Sequence, residues 1–306
     1  MNRRHLLACM GALPWAGTAP AQSTRSASLV IVGGAEDRLQ DRLILRRFAD
    51  YCGGAQARIR LITAASSEPE RVAQSYQRVF EALGVADFAA LPLHTREDAA
   101  DPAVLREMAQ ADGLFMSGGD QARLMEVLWE TPAYAALHQA FHAGGCCIGG
   151  TSAGAAVMSR HMIAQGPAVL RPSKAVTSTD IGLGLLSAAV VDQHFSERRR
   201  LARLLSTLAL RPDLLGVGID EDTALVVERG RAVEVLGQGS VTLVDTTEMQ
   251  SNVDEVDTEE QIEMLGVVLH TLPAGRRYTV DDVPRRWPAQ LDRALRRLIE
   301  PGPLRG

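Results

Sequence analysis

Lysine is almost missing from this 306-residue chain: Lys174 is the only one, and the other basic side chains are arginine. Positive charge does not dominate either. Lys and Arg total 32 against 37 Asp and Glu, for a formal net charge of −5 and a pI near 5.8. A chain without a strong positive field is not built to hold nucleic acid or a membrane surface in bulk. Cysteine is scarce, with four residues, of which Cys9 falls in an N-terminal leader. The remaining three, Cys52, Cys146 and Cys147, are an odd number and make no disulfide framework. There is no C-x-x-C pair and no histidine pair at convincing metal spacing, so no zinc site is read and no cofactor is expected. The apolar run Leu6–Ala16 is too short to span a bilayer.

That run has another use. Arg3 and Arg4 precede it, and Ala19-Pro20-Ala21 follows as an A-x-A cleavage signal. Residues 1–21 therefore read as a signal peptide, and the protein is expected to be exported to the periplasm or beyond. The paired arginines also allow twin-arginine export. Lipidation at Cys9 would leave a very short apolar region. With no internal repeat and no low-complexity linker, residues 22–306 read as one domain. At 46% hydrophobic residues, it has enough apolar material for a sizeable core.

Short apolar runs alternate with amphipathic ones. "SLVIVGG" (28–34), "RIRLITAA" (58–65), "ADFAALPL", "DGLFMSGGD" (112–120), "CCIGG" (146–150) and "AAVVDQHF" (188–195) read as strands. Helices are expected over Asp37–Tyr51, Pro69–Leu83 and, near the end, Trp287–Arg297. This rhythm predicts an α/β fold with a mainly parallel sheet and right-handed crossovers. After Gly216 it gives way to "GVGID", "TALVVERGRAVEVLG" and "GSVTLVD", which predict antiparallel strands extending that sheet or packed on it. Residues 248–262 are acidic and polar and read as a loop. Sites in such sheets form at the carboxyl ends of strands, which groups the loops after "LFMS", "CCIG" and "AAVV".

Gly150-Thr151-Ser152-Ala153-Gly154 has the mechanics of a nucleophile elbow: a strand enters, small residues allow a sharp turn, and a helix leaves. The competing reading is a helix N-cap serine. His194, at a strand end, is placed to take and return a proton; alone it is equally a structural histidine. Gly118-Gly119-Asp120-Gln121 offers backbone N–H groups that with the Ala153 N–H would make an oxyanion hole, or else is a plain turn capped by Asp120. If 197–209 is a helix, Leu201, Leu204, Leu205 and Leu208 form one stripe. Arg198 and Arg200 then flank it, while Arg199 and Arg203 point further away. Such a run is ordinarily a solvated face. Beside a serine site, arginines suit carboxylates.

Taken together, Gly118–Gln121, Gly150–Ala156, and Asp192-Gln193-His194-Phe195 followed by Arg198, Arg200 and Arg203 resemble cyanophycinases and the related aspartyl dipeptidase family of serine peptidases, over about residues 28–280. The resemblance implies a flavodoxin-like three-layer α/β/α sandwich related to class I glutamine amidotransferases, usually dimeric. It implies Ser152 as nucleophile and His194 as base, with Gln121, Asp192, Gln193, Arg198, Arg200 and Arg203 lining the pocket. The implied substrate is cyanophycin, a poly-aspartate backbone with arginine on each β-carboxyl, released as β-aspartyl-arginine dipeptides. Asp192 would face the substrate guanidinium, and the pocket arginines its carboxylates.

One feature departs from the family. A carboxylate orients its histidine, yet residues 153–179 hold no Asp or Glu, and Gln165 and Leu170 stand where relatives look acidic. Asp180 is the first carboxylate available and Glu221 another. Two further readings therefore stay open: a peptidase of other aspartyl or β-aspartyl peptides, and a catalytically weak peptide-binding relative. A glutamine amidotransferase is disfavoured because the elbow residue is serine and the nearby cysteines lie upstream in the strand.

Overall fold

Strand β1 (Ser28–Val32) shows how this chain makes layers. It is buried throughout and apolar after Ser28, as expected of a strand with both faces covered. Alternate residues then serve opposite cores. Val30 and Val32 pack with Phe48, Tyr76, Phe80 and Phe115, whereas Leu29 and Ile31 pack with Met108, Leu124 and Leu137. A computed structural model describes residues 27–280 and 287–300. The expected signal peptide lies outside them.

β1 runs parallel with β2 (Arg58–Ile62), β3 (Asp87–Ala90), β4 (Gly113–Met116) and β5 (Cys147–Thr151), in the spatial order β1-β5-β4-β2-β3. Helices α1 (Leu43–Cys52) and α2 (Pro69–Ala82) supply one core. Helices α3 (Pro102–Ala109), α4 (Gln121–Leu128) and α5 (Pro132–His142) supply the other. The single-turn helix α6 (Ala153–Ala156) follows β5, then a hairpin of β6 (His161–Gln165) and β7 (Ser178–Ile181). Next come β8 (Ala189–Gln193), α7 (Leu201–Leu210), β9 (Leu215–Ile219), β10 (Thr223–Glu228), β11 (Ala232–Gly237) and β12 (Ser240–Asp245). The chain continues through β13 (Gln250–Ser251), β14 (Met264–Leu265), β15 (Val268–Pro273), β16 (Arg277–Thr279) and α8 (Ala289–Ile299).

The later strands take both of the expected forms, with two departures: β8 leaves the large sheet for a second one, and β9 pairs parallel with it. β10 pairs antiparallel with β1, β11 with β10 and β16 with β11, which extends the large sheet to eight strands, while β15-β12-β9-β8 form a separate four-stranded sheet. Within that second sheet β8 and β9 are parallel, and Leu215, Val217 and Ile219 of β9 belong to the same buried cluster as Leu29 and Ile31. The result is a three-layer α/β/α sandwich with an additional small sheet on one face.

Two helices start later than their periodicity predicts. The expected helix from Asp37 begins only at Leu43, because the Asp37 carboxylate accepts the N–H groups of Leu39, Gln40 and Arg42 and holds a loop there. Those bonds also pull its carboxyl down to about 2. The helix expected over 197–209 begins at Leu201, since residues 194–200 form turns in which Arg199 has φ 51°. The last helix is displaced by two residues, to Ala289–Ile299.

Candidate active site

Five loops meet at strand carboxyl ends: those after β1, β4 and β5 of the large sheet and after β8 and β9 of the small one. Ser152 follows β5 with φ 52° and ψ −112°, a region where a non-glycine residue costs about 1–3 kcal/mol. It does not cap the following helix with its side chain, which removes the N-cap reading. Its N–H donates to Val32 O at 3.0 Å, and its carbonyl accepts from Ala155 and Ala156. The hydroxyl is left for His194 Nε2, 2.9 Å away. Helix α6 has only four residues, so its dipole is small and backbone N–H groups carry the electrostatics here.

His194 is buried and has φ 48°. Its N–H donates to Gly33 O at 2.8 Å, and its ring rests on Gly34, which has φ 108°. A Cβ on Gly34 would overlap Cε1, Nε2 and Nδ1 of that ring. Nδ1 lies 2.5 Å from Glu221 Oε1. Burial pushes the His194 pKa below its ordinary value, and the Arg198 charge adds to that, although the Glu221 hydrogen bond opposes it. The imidazole is therefore neutral near pH 7, the form a base requires.

The carboxylate beside His194 is thus Glu221. Asp180 lies on the exposed strand β7, where its Oδ1 accepts the N–H of Ile181, so it is not the histidine's partner. Residues 153–179 hold no acid, and the carboxylate at Nδ1 comes instead from the loop after β9. Neither neighbour of Glu221 touches the histidine, yet both anchor its loop. Asp220 accepts from the Ser196 and Ser240 N–H groups and the Ser240 hydroxyl, while Asp222 accepts from the Asp37 N–H. These anchors, like Gly33 and Gly34, were not singled out in the sequence. The one available signal was that "VIVGG" repeats the strand-to-glycine pattern of "FMSGG".

Gly118 sits against the serine: a Cβ there would lie 3.3 Å from Ser152 Cβ and 3.8 Å from Oγ. Gly119 has φ 144°, and any side chain would strike the Ala65 carbonyl, which accepts the Asp120 N–H at 2.9 Å. Asp120 does cap α4 through the N–H groups of Ala122 and Arg123. The turn is therefore both a helix start and a neighbour of Ser152.

The arginines divide. Arg203 is not the outward residue its helical position predicted. It is 5% exposed, both Asp192 oxygens accept from it, and its Nη1 donates to Gly166 O at 2.7 Å. Asp192 is 1% exposed, and burial raises its carboxyl against the pull of Arg203 and Arg200. Arg200 donates through Nη1 to Gln193 Oε1 at 2.8 Å, and burial pushes its pKa down to about 10, still a cation at pH 7. Arg198 is exposed and has no side-chain hydrogen bond among the described residues. Gln121 donates its amide to Ile163 O and Ala164 O at 3.1 and 2.7 Å.

Cys52, Cys146 and Cys147 are free and buried, and burial raises the Cys52 and Cys146 thiols well above their ordinary values, so neither offers a thiolate. Among the described residues no group of three His, Cys, Asp or Glu is placed to hold a metal, and no helix is long and apolar enough to cross a membrane.

Comparison with known proteins identifies the family. The model of peptidase family S51 matches residues 29–235. A cyanophycinase of Trichormus variabilis is 42% identical over 258 residues, 84% of this chain and 86% of that one. A cyanophycinase of Geminocystis herdmanii is 40% identical over 252 residues, 82% and 93% of the two chains. The crystal structure of a peptidase from an acI-B1 Actinobacterium superposes with a TM-score of 0.61 at 25% identity, covering 84% of this chain and 98% of that one. The chain belongs to peptidase family S51 and is a serine-type peptidase.

Proposed function

We propose that this peptidase hydrolyses cyanophycin to β-aspartyl-arginine dipeptides, with Ser152 as nucleophile, His194 as general base and Glu221 as the acid that orients it. The observation that carries the mechanism is the unbroken relay Ser152 Oγ–His194 Nε2–His194 Nδ1–Glu221 Oε1, with steps of 2.9 and 2.5 Å. Ser152 Oγ attacks a backbone carbonyl carbon as its proton passes to Nε2. His194 then returns that proton to the leaving amine, and water releases the acyl group by the same route. Glu221 accepts from Nδ1–H, which fixes the tautomer that leaves Nε2 free. The Gly119 and Ala153 N–H groups would receive the oxyanion: Ala153 follows Ser152, Gly119 follows Gly118, which lies against Ser152, and Gly119 N–H makes no hydrogen bond among the described residues.

For substrate, the likeness to cyanophycinases supplies the class, and the arginines fit it. Every arginyl branch of the polymer ends in a free carboxylate. Arg198 is unengaged, and Arg200 is held through one nitrogen only, so these two are the cations for that group. Asp192 is taken up by Arg203 and reached by Arg200, so we assign it to holding Arg200 in place, and not to gripping the substrate guanidinium. Export follows from the leader at residues 1–21, since a polymer of that size is met outside the cell. Likeness to the family also suggests a homodimer.

The test is purified mature protein with insoluble cyanophycin, with dipeptide product measured alongside cleavage of short aspartyl and β-aspartyl peptides. Ser152→Ala should lose at least about 10⁴-fold in kcat. A Ser152→Ala protein that still released dipeptide would end the nucleophile assignment. Faster cleavage of the short peptides than of polymer would move the substrate, but not the mechanism.

A further inference from the structure

Glu36 is 4% exposed, lies in the loop after β1, and takes no part in the chemistry above. Its Oε1 accepts the Tyr76 hydroxyl and its Oε2 the Thr151 hydroxyl, each at 2.5 Å. Arg38 Nε stands 3.7 Å from Oε1 as a partly exposed counter-charge. Tyr76 is rooted in α2 and 1% exposed, with its ring 6.5 Å from Phe80 and 5.4 Å from Phe115 between centroids. Burial, then the Glu36 charge, push its hydroxyl above the ordinary phenol range, so it remains a donor. Thr151 is the last residue of β5 and immediately precedes Ser152. Two hydroxyls and one carboxylate thus connect the aromatic core under α2 to the strained elbow.

A carboxylate is an expensive way to fill a buried space, because a charge withdrawn from water must be compensated. It does one thing an apolar or amide side chain cannot: it accepts at both oxygens, so both hydroxyls are fixed as donors. A residue at φ 52° stays there only if its surroundings hold it. The Ser152 N–H bond to Val32 holds one side of the peptide. The Thr151 hydroxyl is a side-chain tether on the residue before it.

We propose that Glu36 is a positioning residue for the nucleophile: by clamping Thr151 against Tyr76 it fixes the elbow backbone and with it the aim of Ser152 Oγ at His194. The proposal rests on Ser152 being the nucleophile. It predicts that the Thr151 hydroxyl matters more than its shape, the reverse of what a packing role predicts.

The experiment measures the rate at which a fluorophosphonate probe labels Ser152 in the purified mature chain, with kcat, KM and melting temperature alongside. Thr151→Ser should label within about twofold of wild type, and Thr151→Val should fall about tenfold or more, in kcat more than in KM, with both variants still folded at the assay temperature. Glu36→Gln should fall in the same direction, and Glu36→Gln with Thr151→Val should be no slower than the slower single variant, since both remove one contact. Thr151→Val labelled at the wild-type rate, or faster than Thr151→Ser, overturns the proposal while leaving the nucleophile intact. A wild-type protein that does not label removes the nucleophile assignment and this proposal together.

Discussion

The proposed nucleophile is carried by the eight-stranded sheet and the proposed base by the four-stranded one, and the two sides are made of different materials. Around Ser152 the chain is backbone and small residues: Gly118, Gly119, Thr151, Ala153 and a φ of 52°. Around His194 it is ionisable side chains: Glu221, Arg198, Arg200, Arg203 and Asp192. The first side works by shape, so a single added carbon should break it. The second works by charge, so isosteric changes should retune it, except where the charge holds a tautomer.

That exception gives the largest expected effect. Glu221→Gln keeps the size of the side chain but loses the anion that selects the Nδ1–H tautomer, and kcat should fall by about 10³–10⁴-fold. Since Glu221 raises the His194 pKa, its loss should also move the acid limb of kcat/KM to lower pH. A variant within tenfold of wild type would mean the contact at Nδ1 is only structural. Next comes Gly34→Ala, where geometry and charge meet. The new Cβ would occupy the place of the imidazole, at φ 108°. The ring has to move off Ser152 or off Glu221, and activity should fall by about 10²-fold with the fold retained, as judged by circular dichroism. Full activity in Gly34→Ala would show that the base side tolerates displacement.

Arg198→Gln separates the two materials most cleanly. Burial holds the His194 pKa below its ordinary value, and the Arg198 charge lowers it further by opposing the imidazolium. With that charge gone the folded pKa rises, so more of the histidine is protonated at a given pH. The acid limb of kcat/KM should then move to higher pH, opposite to Glu221→Gln. An unmoved or lowered limb would remove Arg198 from the field at the base. The same variant should raise KM for cyanophycin, if its carboxylates are held here.

The difference in materials also explains what the sequence disclosed. Strand and helix order was legible because period-2 and period-3.6 apolar patterns are local, and the Ser152 elbow because its small residues are contiguous. The helix start at Leu43 was not, since the Asp37 carboxylate diverts three N–H groups that the apolar pattern does not register. Arg203 departs from its expected outward position for another reason: α7 is also buried on the side of Arg203, Ser206 and Thr207, while Leu201 of the apolar stripe is exposed, and Asp192 draws the guanidinium inward. The acid was left open between Asp180 and Glu221 because its choice depends on β8 and β9 lying side by side, a pairing set by sheet topology and not by distance along the chain.

Asp180 supplies the smallest expected effect and the sharpest control on that choice. It has what linear position favours, being the first carboxylate after the serine, and it lacks what the folded chain supplies. It is exposed on β7, opposite Met162 of β6, and its carboxylate is engaged by the next residue's own N–H. An exposed carboxylate of that kind contributes little to stability and nothing to the imidazole at Nδ1. Asp180→Asn should therefore leave kcat and the acid limb within about twofold of wild type, where Glu221→Gln loses orders of magnitude. A large loss in Asp180→Asn would require the β6–β7 hairpin to reach the histidine, and would transfer part of the base side from the four-stranded sheet to a hairpin outside both sheets.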